Sequence, residues 1–244
     1  MIKLMYVNGD SFSFGEELGP NDAEARLIFT EYKRRNCYSG IIADTCKIPN
    51  YINNSRPGGS NERIYRTLIN DIPKLLTTYQ SNEIFVNISL TSPYRLEFAF
   101  GDNSKDYYDM MAVHAPPSNH NFLYDLWKLI TSRYNYDYGW HNFDIMMQLG
   151  IQNFLKVNKI PHLITNSLST HNDAVLFKQH IDYHLLKQTE SLRFYNEFSF
   201  ATFNELHNLP KGIGHHPLED GHKAWASALL TIINDRKLFE SGDL

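Results

Sequence analysis

Three short stretches of this sequence contain residue types that could do chemistry together. Gly9-Asp10-Ser11 follows an apolar run near the N-terminus, residues 57–61 form a glycine-rich turn, and residues 214–222 contain three histidines. A serine becomes a nucleophile when a base takes its proton and when N–H donors hold the oxyanion that forms. A serine, histidines and glycine or asparagine donors are all present, so nucleophilic catalysis is the chemistry that these stretches favour together.

Each stretch also has a purely structural interpretation. Asn, Gly, Asp and Ser are common turn residues, so Gly9-Asp10-Ser11 could simply end a strand, with Ser11 capping a helix. The alternative is a serine at the carboxyl end of a parallel strand, where open α/β sheets place their ligands. Likewise, the glycine-rich turn could bring backbone N–H groups close to a ligand at a helix N-terminus.

The three histidines, His215, His216 and His222, could suggest a zinc site. Two of them are adjacent, however, and neither a CxxC nor an HExxH spacing accompanies them. The glycine-rich turn is neither GxGxxG nor a P-loop with lysine, so a phosphate-binding fingerprint is not present. We therefore expect neither a metal ion nor another cofactor.

Taken in chain order, the three stretches resemble the sequence blocks of the SGNH or GDSL hydrolases. GDS near residue 10 is similar to the block with the nucleophile, and HPxxxGHxxWA near the C-terminus is similar to the block with the base. The resemblance implies Ser11 as the nucleophile, His216 as the base, and the N–H groups of Ser11 and Gly59 in an oxyanion hole. It also implies a three-layer α/β/α, flavodoxin-like fold and a serine esterase that needs no cofactor.

Two positions depart from the family pattern. The third block is usually Gly-x-Asn-Asp, whereas this chain has LTSPYR at residues 90–95, so Asn61, or a hydroxyl of Thr91 or Ser92, would supply the missing donor. The aspartate usually found three residues before the histidine is replaced by Ile213. One alternative is a Ser–His dyad in which a backbone carbonyl orients the histidine. Another is an inactive relative of the family that binds a glycan or protein partner.

Two further residues accompany these blocks. Asp10 is expected to accept N–H bonds and tie loops together rather than to react. Arg95 follows the third strand, where it would contact an anion or the substrate, or pair with Glu62 or Glu97. Together, GDS, GGSNERI and LTSPYRLEF look like a branch found among uncharacterised proteins of tailed phages. A phage setting would suggest de-O-acetylation of a carbohydrate and a place in the virion.

These stretches must be positioned by the strands and helices between them, whose alternation predicts one α/β domain over residues 1–244 with a parallel sheet of about five strands. Residues 91–138 are too long for an ordinary connection, and we expect an insertion there that forms a lid or a cleft wall. The expected strands are 2–7, 39–43, 83–90 and 162–168, and the expected helices are about 21–32, 61–76, 122–132, 142–157, 173–187 and 219–236.

Composition limits the class of protein further. With 42% hydrophobic and 20% charged residues, the 244-residue chain should be globular. A net charge of −4 argues against nucleic acid as a partner, and two cysteines are too few for a disulfide framework. Neither a signal peptide nor an 18-residue apolar stretch is visible. We therefore expect a cytoplasmic protein without membrane contact that acts on a small-molecule or carbohydrate ester.

Overall fold

The computed structural model describes residues 1–19, 28–93, 95–99, 107–111, 128, 136–168 and 199–239. In chain order, its strands and helices are β1 (Leu4–Asn8), α1 (Ser11–Phe14), α2 (Glu31–Asn36), α3 (Tyr38–Thr45), β2 (Asn50–Asn53), α4 (Asn61–Leu75), β3 (Ile84–Leu90), β4 (Arg95–Ala99), β5 (Tyr107–Met111), α5 (Tyr136–Val157), β6 (His162–Asn166), α6 (Phe200–Leu206) and α7 (Glu219–Asp235).

Four of the strands form a parallel sheet in the order β2-β1-β3-β6. Strands β1, β3 and β6 are buried along their whole length, as their continuous apolar runs require in a parallel sheet. This architecture confirms the expected α/β class, with four strands among the described residues rather than about five. Asn8 pairs with Ile88 near the ends of β1 and β3, so the loops that follow these strands begin at one edge of the sheet.

Alternating side chains of the sheet build two hydrophobic cores, one on each face. On one face, Met5 packs in a cluster with Tyr38 of α3 and Trp225 of α7. On the other face, Leu4 packs in a cluster with Leu68 of α4 and with apolar residues of α5. Helices therefore cover both faces of the sheet and give the three layers that the sequence predicts.

Residues 39–43, expected as a strand, instead lie within helix α3. Tyr38 and Ile42 are fully buried and four residues apart, so they share one helix face that packs into the core. This burial outweighs the local preference for a strand. Gly40 is required where α3 meets α2, because a Cβ atom there would lie 1.7 Å from the carbonyl oxygen of Arg34.

The helix expected at residues 21–32 has a different boundary. Helix α2 begins only at Glu31, where the side chain of Thr30 accepts the N–H of Lys33 as an N-cap. Residues 28–30 are not helical, and residues 20–27 lie outside the described part of the chain. The edge strand β2 at Asn50–Asn53 is absent from the expected strands.

The C-terminal helix is confirmed as α7, and α4 continues through Pro73 to end at Leu75. Within the expected insertion at 91–138, β4 and β5 form an antiparallel pair separate from the main sheet. The helices expected at 122–132 and 173–187 lie outside the described residues, residue 128 excepted. The assignment of one domain to residues 1–244 stays a prediction. None of the described helices combines the length and apolarity needed to cross a bilayer.

Candidate active site

Ser11 is the first residue of the very short helix that follows β1. Asp10 is the N-cap of this helix, and its Oδ1 accepts the Phe12 N–H at 3.1 Å. Gly15, with a φ of 73°, ends the helix in the left-handed conformation. The strand and these two caps together hold Ser11 at the carboxyl edge of the sheet, where it is buried.

Gly9 allows this turn to pack tightly against β3. A Cβ atom at this position would lie 2.6 Å from Ser13 Oγ and 2.9 Å from the carbonyl oxygen of Ser89. Any larger residue would push the turn away from the sheet. The glycine of the GDS stretch therefore sets the position of the serine two residues later.

A tight loop ahead of α7 holds His216. The Gly212 N–H donates to the His216 carbonyl at 2.9 Å, and a β-bridge joins Lys211 to Pro217. His215 lies between them with a φ of 64°, which reverses the chain direction locally. As a result, the His215 side chain is exposed, whereas that of His216 is only 15% exposed.

Ser11 and His216 lie at hydrogen-bond distance although they are 205 positions apart in the sequence. His216 Nε2 is 2.9 Å from Ser11 Oγ, and His216 Nδ1 is 3.0 Å from Glu17 Oε2. Because an ionised carboxylate can only accept, Nδ1 carries the hydrogen and donates it to Glu17. Nε2 then accepts the Ser11 hydroxyl, in the tautomer that a general base requires.

Glu17 was not predicted from the sequence. The family pattern places an acid at position 213, but Ile213 is 82% exposed. Glu17 reaches the histidine loop from the segment after α1, where it accepts the Gly214 N–H at 2.7 Å and the His216 N–H at 3.2 Å. Gly212 and Gly214 make room for it, since Cβ atoms there would lie 2.5 and 3.1 Å from Glu17 Oε2.

Those two glycines were the available sequence signal for a missing partner. Alternating glycines just before the expected base indicate that something approaches the backbone closely. The sequence does not say which side chain approaches, however, because Glu17 lies 197 positions before Gly214. The acid could only be identified once the fold brought the two loops together.

The environment of Glu17 keeps it ionised. Burial raises the pKa of its carboxyl, but hydrogen bonds from the Gly214 N–H and from His216 outweigh this effect and hold the pKa below its ordinary value. Its φ of 68° lies in the left-handed region, a strained conformation for glutamate. Such strain costs on the order of 1 kcal/mol and is typically found at functional sites.

His222, the third histidine considered for a metal, belongs to the core. Its Nδ1 accepts the Tyr38 N–H at 3.1 Å, and the two rings are nearly parallel with centroids 6.0 Å apart. Burial lowers the pKa of His222 to about 3, so this histidine is neutral near pH 7. Across the described ranges, the structure contains no group of three His, Cys, Asp or Glu side chains that could hold a metal ion.

Gly59, an expected oxyanion donor, lies next to the turn that carries Ser11. A Cβ atom on Gly59 would be 3.3 Å from the carbonyl oxygen of Gly9, so the first two sequence blocks are in contact. Its N–H donates to the Arg56 carbonyl at 2.9 Å. The expected donor is therefore close to the site, but its hydrogen already has a partner within the turn.

Asn61, the other expected donor, is buried at the start of α4. Its amide N–H groups donate to the Thr91 carbonyl and to Asp144, and its Oδ1 accepts the Thr91 N–H at 2.8 Å. These bonds tie α4 to the loop after β3. The role of Asn61 as an oxyanion donor stays a prediction that requires one of these bonds to break.

Asp10 and Arg95 join the turn after β1 to the segment after β3. Asp10 is fully buried, and its Oδ2 accepts the Thr91 hydroxyl at 2.8 Å and Arg95 Nη1 at 3.3 Å. The Arg95 side chain is only 10% exposed. Glu97, one of the expected ion-pair partners, instead binds Arg66 at 2.8 Å. A contact between Arg95 and substrate stays a prediction.

The chain has the fold of the SGNH or GDSL hydrolases. A structure described as a carbohydrate esterase whose active site displays divergent catalytic and non-catalytic binding functions is similar with a TM-score of 0.51 at 13% identity, covering 97% of this chain and 66% of that one. A lipolytic protein of the G-D-S-L family from Veillonella parvula has a TM-score of 0.48 at 12% identity, and the match covers 95% of this chain and 98% of that one. A catalytic mutant of an acetylxylan esterase from Geobacillus stearothermophilus has a TM-score of 0.47 at 12% identity, and the match covers 98% of this chain and 94% of that one.

By sequence, the chain belongs to DUF6071, a family of unknown function whose model matches residues 16–243. The matched part begins after Ser11 and includes Glu17, Gly59 and His216. A comparison with curated proteins found no match. Family and fold therefore define the architecture, while the activity has to be argued from the site.

Proposed function

We propose that this protein is an ester hydrolase in which Ser11, His216 and Glu17 act together. The observation that carries the proposal is the continuous hydrogen-bond chain from Ser11 Oγ through both ring nitrogens of His216 to the Glu17 carboxylate. A nucleophile, a base and an acid that orients the base are the three roles that acyl transfer by serine needs. Here the acid comes from the segment that follows the nucleophile.

The proposed reaction uses this geometry in two steps. Ser11 Oγ attacks the ester carbonyl carbon while His216 Nε2 takes its proton, and the Glu17 carboxylate stabilises the resulting imidazolium. His216 then protonates the leaving alcohol as the C–O bond breaks, which leaves the acyl group on Ser11. A water molecule next gives a proton to Nε2 and attacks the acyl carbon, and that proton returns to Ser11 Oγ as the acid departs.

The oxyanion of the tetrahedral intermediate requires N–H donors. We propose the backbone N–H of Ser11, at the start of α1, as the first donor. The Gly59 N–H is the second donor and would turn from the Arg56 carbonyl to the oxyanion when substrate binds. Asn61 would become a further donor only if its amide released Thr91 or Asp144.

For the substrate, we propose an ester between a small acid and a carbohydrate, such as an O-acetyl group. The support is an analogy, since a similarly folded protein is described as a carbohydrate esterase. An association with a virion rests only on the resemblance of GGSNERI and LTSPYRLEF to phage proteins. Arg95 would contribute a substrate contact if it exchanges Asp10 for the ligand.

A fluorophosphonate probe tests the proposal. Such probes phosphonylate a serine that a neighbouring base activates, so the folded protein should gain one phosphonyl group on the peptide that contains Ser11. The Ser11→Ala variant should remain unlabelled. His215→Ala is the matched control and should react like the wild type, because His215 is exposed next to the proposed base. Hydrolysis of nitrophenyl acetate should follow the same pattern.

The alternative is a catalytically inactive module of the same fold that binds a glycan or a protein partner. The observation that favours it is the engagement of two of the expected oxyanion donors, Gly59 and Asn61, within the protein. Well-folded protein that neither reacts with the probe nor hydrolyses an ester would support the module. Binding of an acetylated glycan that is recovered unchanged would establish it.

A further inference from the structure

A second carboxylate lies beside the pair formed by Ser11 and His216. Glu16 Oε2 is 3.6 Å from His216 Nε2, the ring atom that meets the serine hydroxyl. The Glu16 side chain is 21% exposed, compared with 3% for Glu17. Glu17 is therefore closed off behind the other ring nitrogen, whereas Glu16 is open to solvent beside the atom that exchanges a proton with Ser11.

Within the described part of the chain, the only charged partner of Glu16 is His216 when that ring is protonated. Among the residues that the structure describes, none of the lysines or arginines forms an ion pair with Glu16. Arg95, which lies at the same edge of the sheet, is bound to the buried Asp10. Any substrate that reaches Ser11 therefore meets the negative field of Glu16.

We infer that Glu16 selects substrates by charge: it favours esters that are neutral or cationic near the ester carbonyl and disfavours esters with a carboxylate there. The inference rests on the proposed function, because it concerns the same site. Like charges a few ångströms apart repel, and water screens them incompletely in a partly buried site. An effect of about tenfold per unit of substrate charge is expected.

The charge preference must be measured as a ratio of kcat/KM values for two substrates rather than as a single rate. Glu16 also faces the imidazolium that His216 forms during the reaction, so its removal changes the rate with every substrate. The ratio of kcat/KM for two esters on the same enzyme cancels this common effect. Only the interaction between Glu16 and the charge of the substrate remains in the ratio.

Three nitrophenyl esters of similar length provide the test: the neutral pentanoate, the anionic hemisuccinate and the cationic 4-(trimethylammonio)butanoate. The wild type should prefer the cationic ester over the neutral one and the neutral ester over the anionic one. Glu16→Gln, which keeps the shape of the side chain, should lower the neutral-to-anionic ratio about tenfold at low ionic strength. At about 1 M salt the two proteins should differ less, because the Debye length falls to about 3 Å.

Asp235→Asn is the matched control, because it also removes one negative charge. Asp235 is exposed at the far end of α7, roughly 24 Å along the helix from the loop that holds His216. This control should keep the ratio of the wild type. If Glu16→Gln keeps that ratio too while all three esters are hydrolysed, the inference is wrong and the proposed function stands. If the wild type hydrolyses nitrophenyl acetate but none of the three, the inference is wrong and the proposed function stands; if it hydrolyses none of the four esters, both are wrong.

Discussion

Two clusters of buried polar side chains lie at the carboxyl edge of the sheet and differ in how they use their hydrogen bonds. In the first, which we call the proton-transfer cluster, the side chains of Ser11, His216 and Glu17 form a continuous row of hydrogen bonds. In the proposed mechanism, the hydroxyl proton of Ser11 moves along its hydrogen bond to His216 Nε2 while the loops that carry the three side chains stay folded.

The second cluster, which we call the clamp, consists of Asp10, Asn61, Thr91 and Arg95. Its side chains bond mainly to backbone groups and to one another across different loops, as when Asn61 exchanges two hydrogen bonds with the Thr91 backbone. Asp10 likewise accepts both the Phe12 N–H and the Thr91 hydroxyl. These bonds join the loops after β1 and β3 to the start of α4.

The comparison teaches that residue type and burial alone do not distinguish chemistry from architecture at this edge. Both clusters contain a carboxylate, and both are largely closed to solvent. Changes of Ser11, whose role is chemical, should therefore alter the rate at nearly constant stability, whereas changes of Glu17 should lower both. Changes in the clamp should alter the free energy of unfolding at a nearly constant rate for each folded molecule.

The largest effect is expected from Ser11→Ala. Without the hydroxyl, the covalent route is lost, and kcat on nitrophenyl acetate should fall by ~10⁵-fold or to background. The thermal midpoint should change little, because alanine fits the space of serine. Wild-type turnover in this variant would remove Ser11 from the mechanism.

Glu17→Gln should lower kcat/KM on the same ester on the order of a thousandfold. The amide can donate a hydrogen to Nδ1, which would leave Nε2 protonated and unable to accept the Ser11 hydroxyl. Glu205→Gln is the matched control, since Glu205 lies on the surface in an ion pair with Lys211. Equal activities of the two variants would mean that Glu17 does not assist catalysis and that the site works as a Ser–His dyad.

Asn61→Ala tests the clamp. Its loss removes the amide that bonds to the Thr91 backbone and to one oxygen of the buried Asp144, so the free energy of unfolding should fall by about 2–4 kcal/mol. Activity per folded molecule should change less than tenfold. If a denaturant titration instead shows unchanged stability and turnover falls about a hundredfold, Asn61 is an oxyanion donor.

The pH dependence of stability should reveal the low pKa of Glu17. Because the pKa is lower in the folded protein, the carboxylate contributes stability above the ordinary glutamate pKa of about 4.3. This contribution is lost as the pH falls through the lowered value. The difference in unfolding free energy between wild type and Glu17→Gln should therefore be constant near pH 7 and shrink in acid. A difference that grows in acid would mean that the carboxyl is not held ionised.

The smallest effect is expected from His215→Ala. The residue is exposed and contributes a turn rather than a side-chain contact. The rate should stay within about twofold of the wild type, since alanine leaves the position of its neighbour unchanged. If His215→Ala abolishes turnover while His216→Ala does not, the base has been assigned to the wrong histidine.

The sequence alone predicts the central strands, the last helix and two members of the proton-transfer cluster. In β1 and β3, a continuous apolar run ends at a polar turn, and this pattern can be recognised without knowledge of the fold. Ser11 and His216 could be proposed because each lies in a stretch that resembles a sequence block of the SGNH or GDSL hydrolases. The helix α3 was missed because its helical face is set by burial against the core rather than by local preference.

Glu17 could not be found, for a different physical reason. Its role depends on a left-handed backbone conformation and on two glycines almost two hundred positions away. The engagement of Asn61 by Thr91 is equally non-local, so the sequence, which suggests Asn61 as a donor, does not reveal that its amide already has partners. Contacts between distant loops carry information that a linear motif does not.

The central claim is that His216, oriented by Glu17, activates Ser11, and the rate of fluorophosphonate labelling tests it most directly. Second-order rate constants would be measured by intact mass for wild type, His216→Ala and Glu17→Gln, after circular dichroism shows that all three are folded. We predict one label on Ser11 in the wild type and labelling at least about a hundredfold slower in both variants. Equal rates in all three proteins, or folded wild type that is never labelled, would contradict the account.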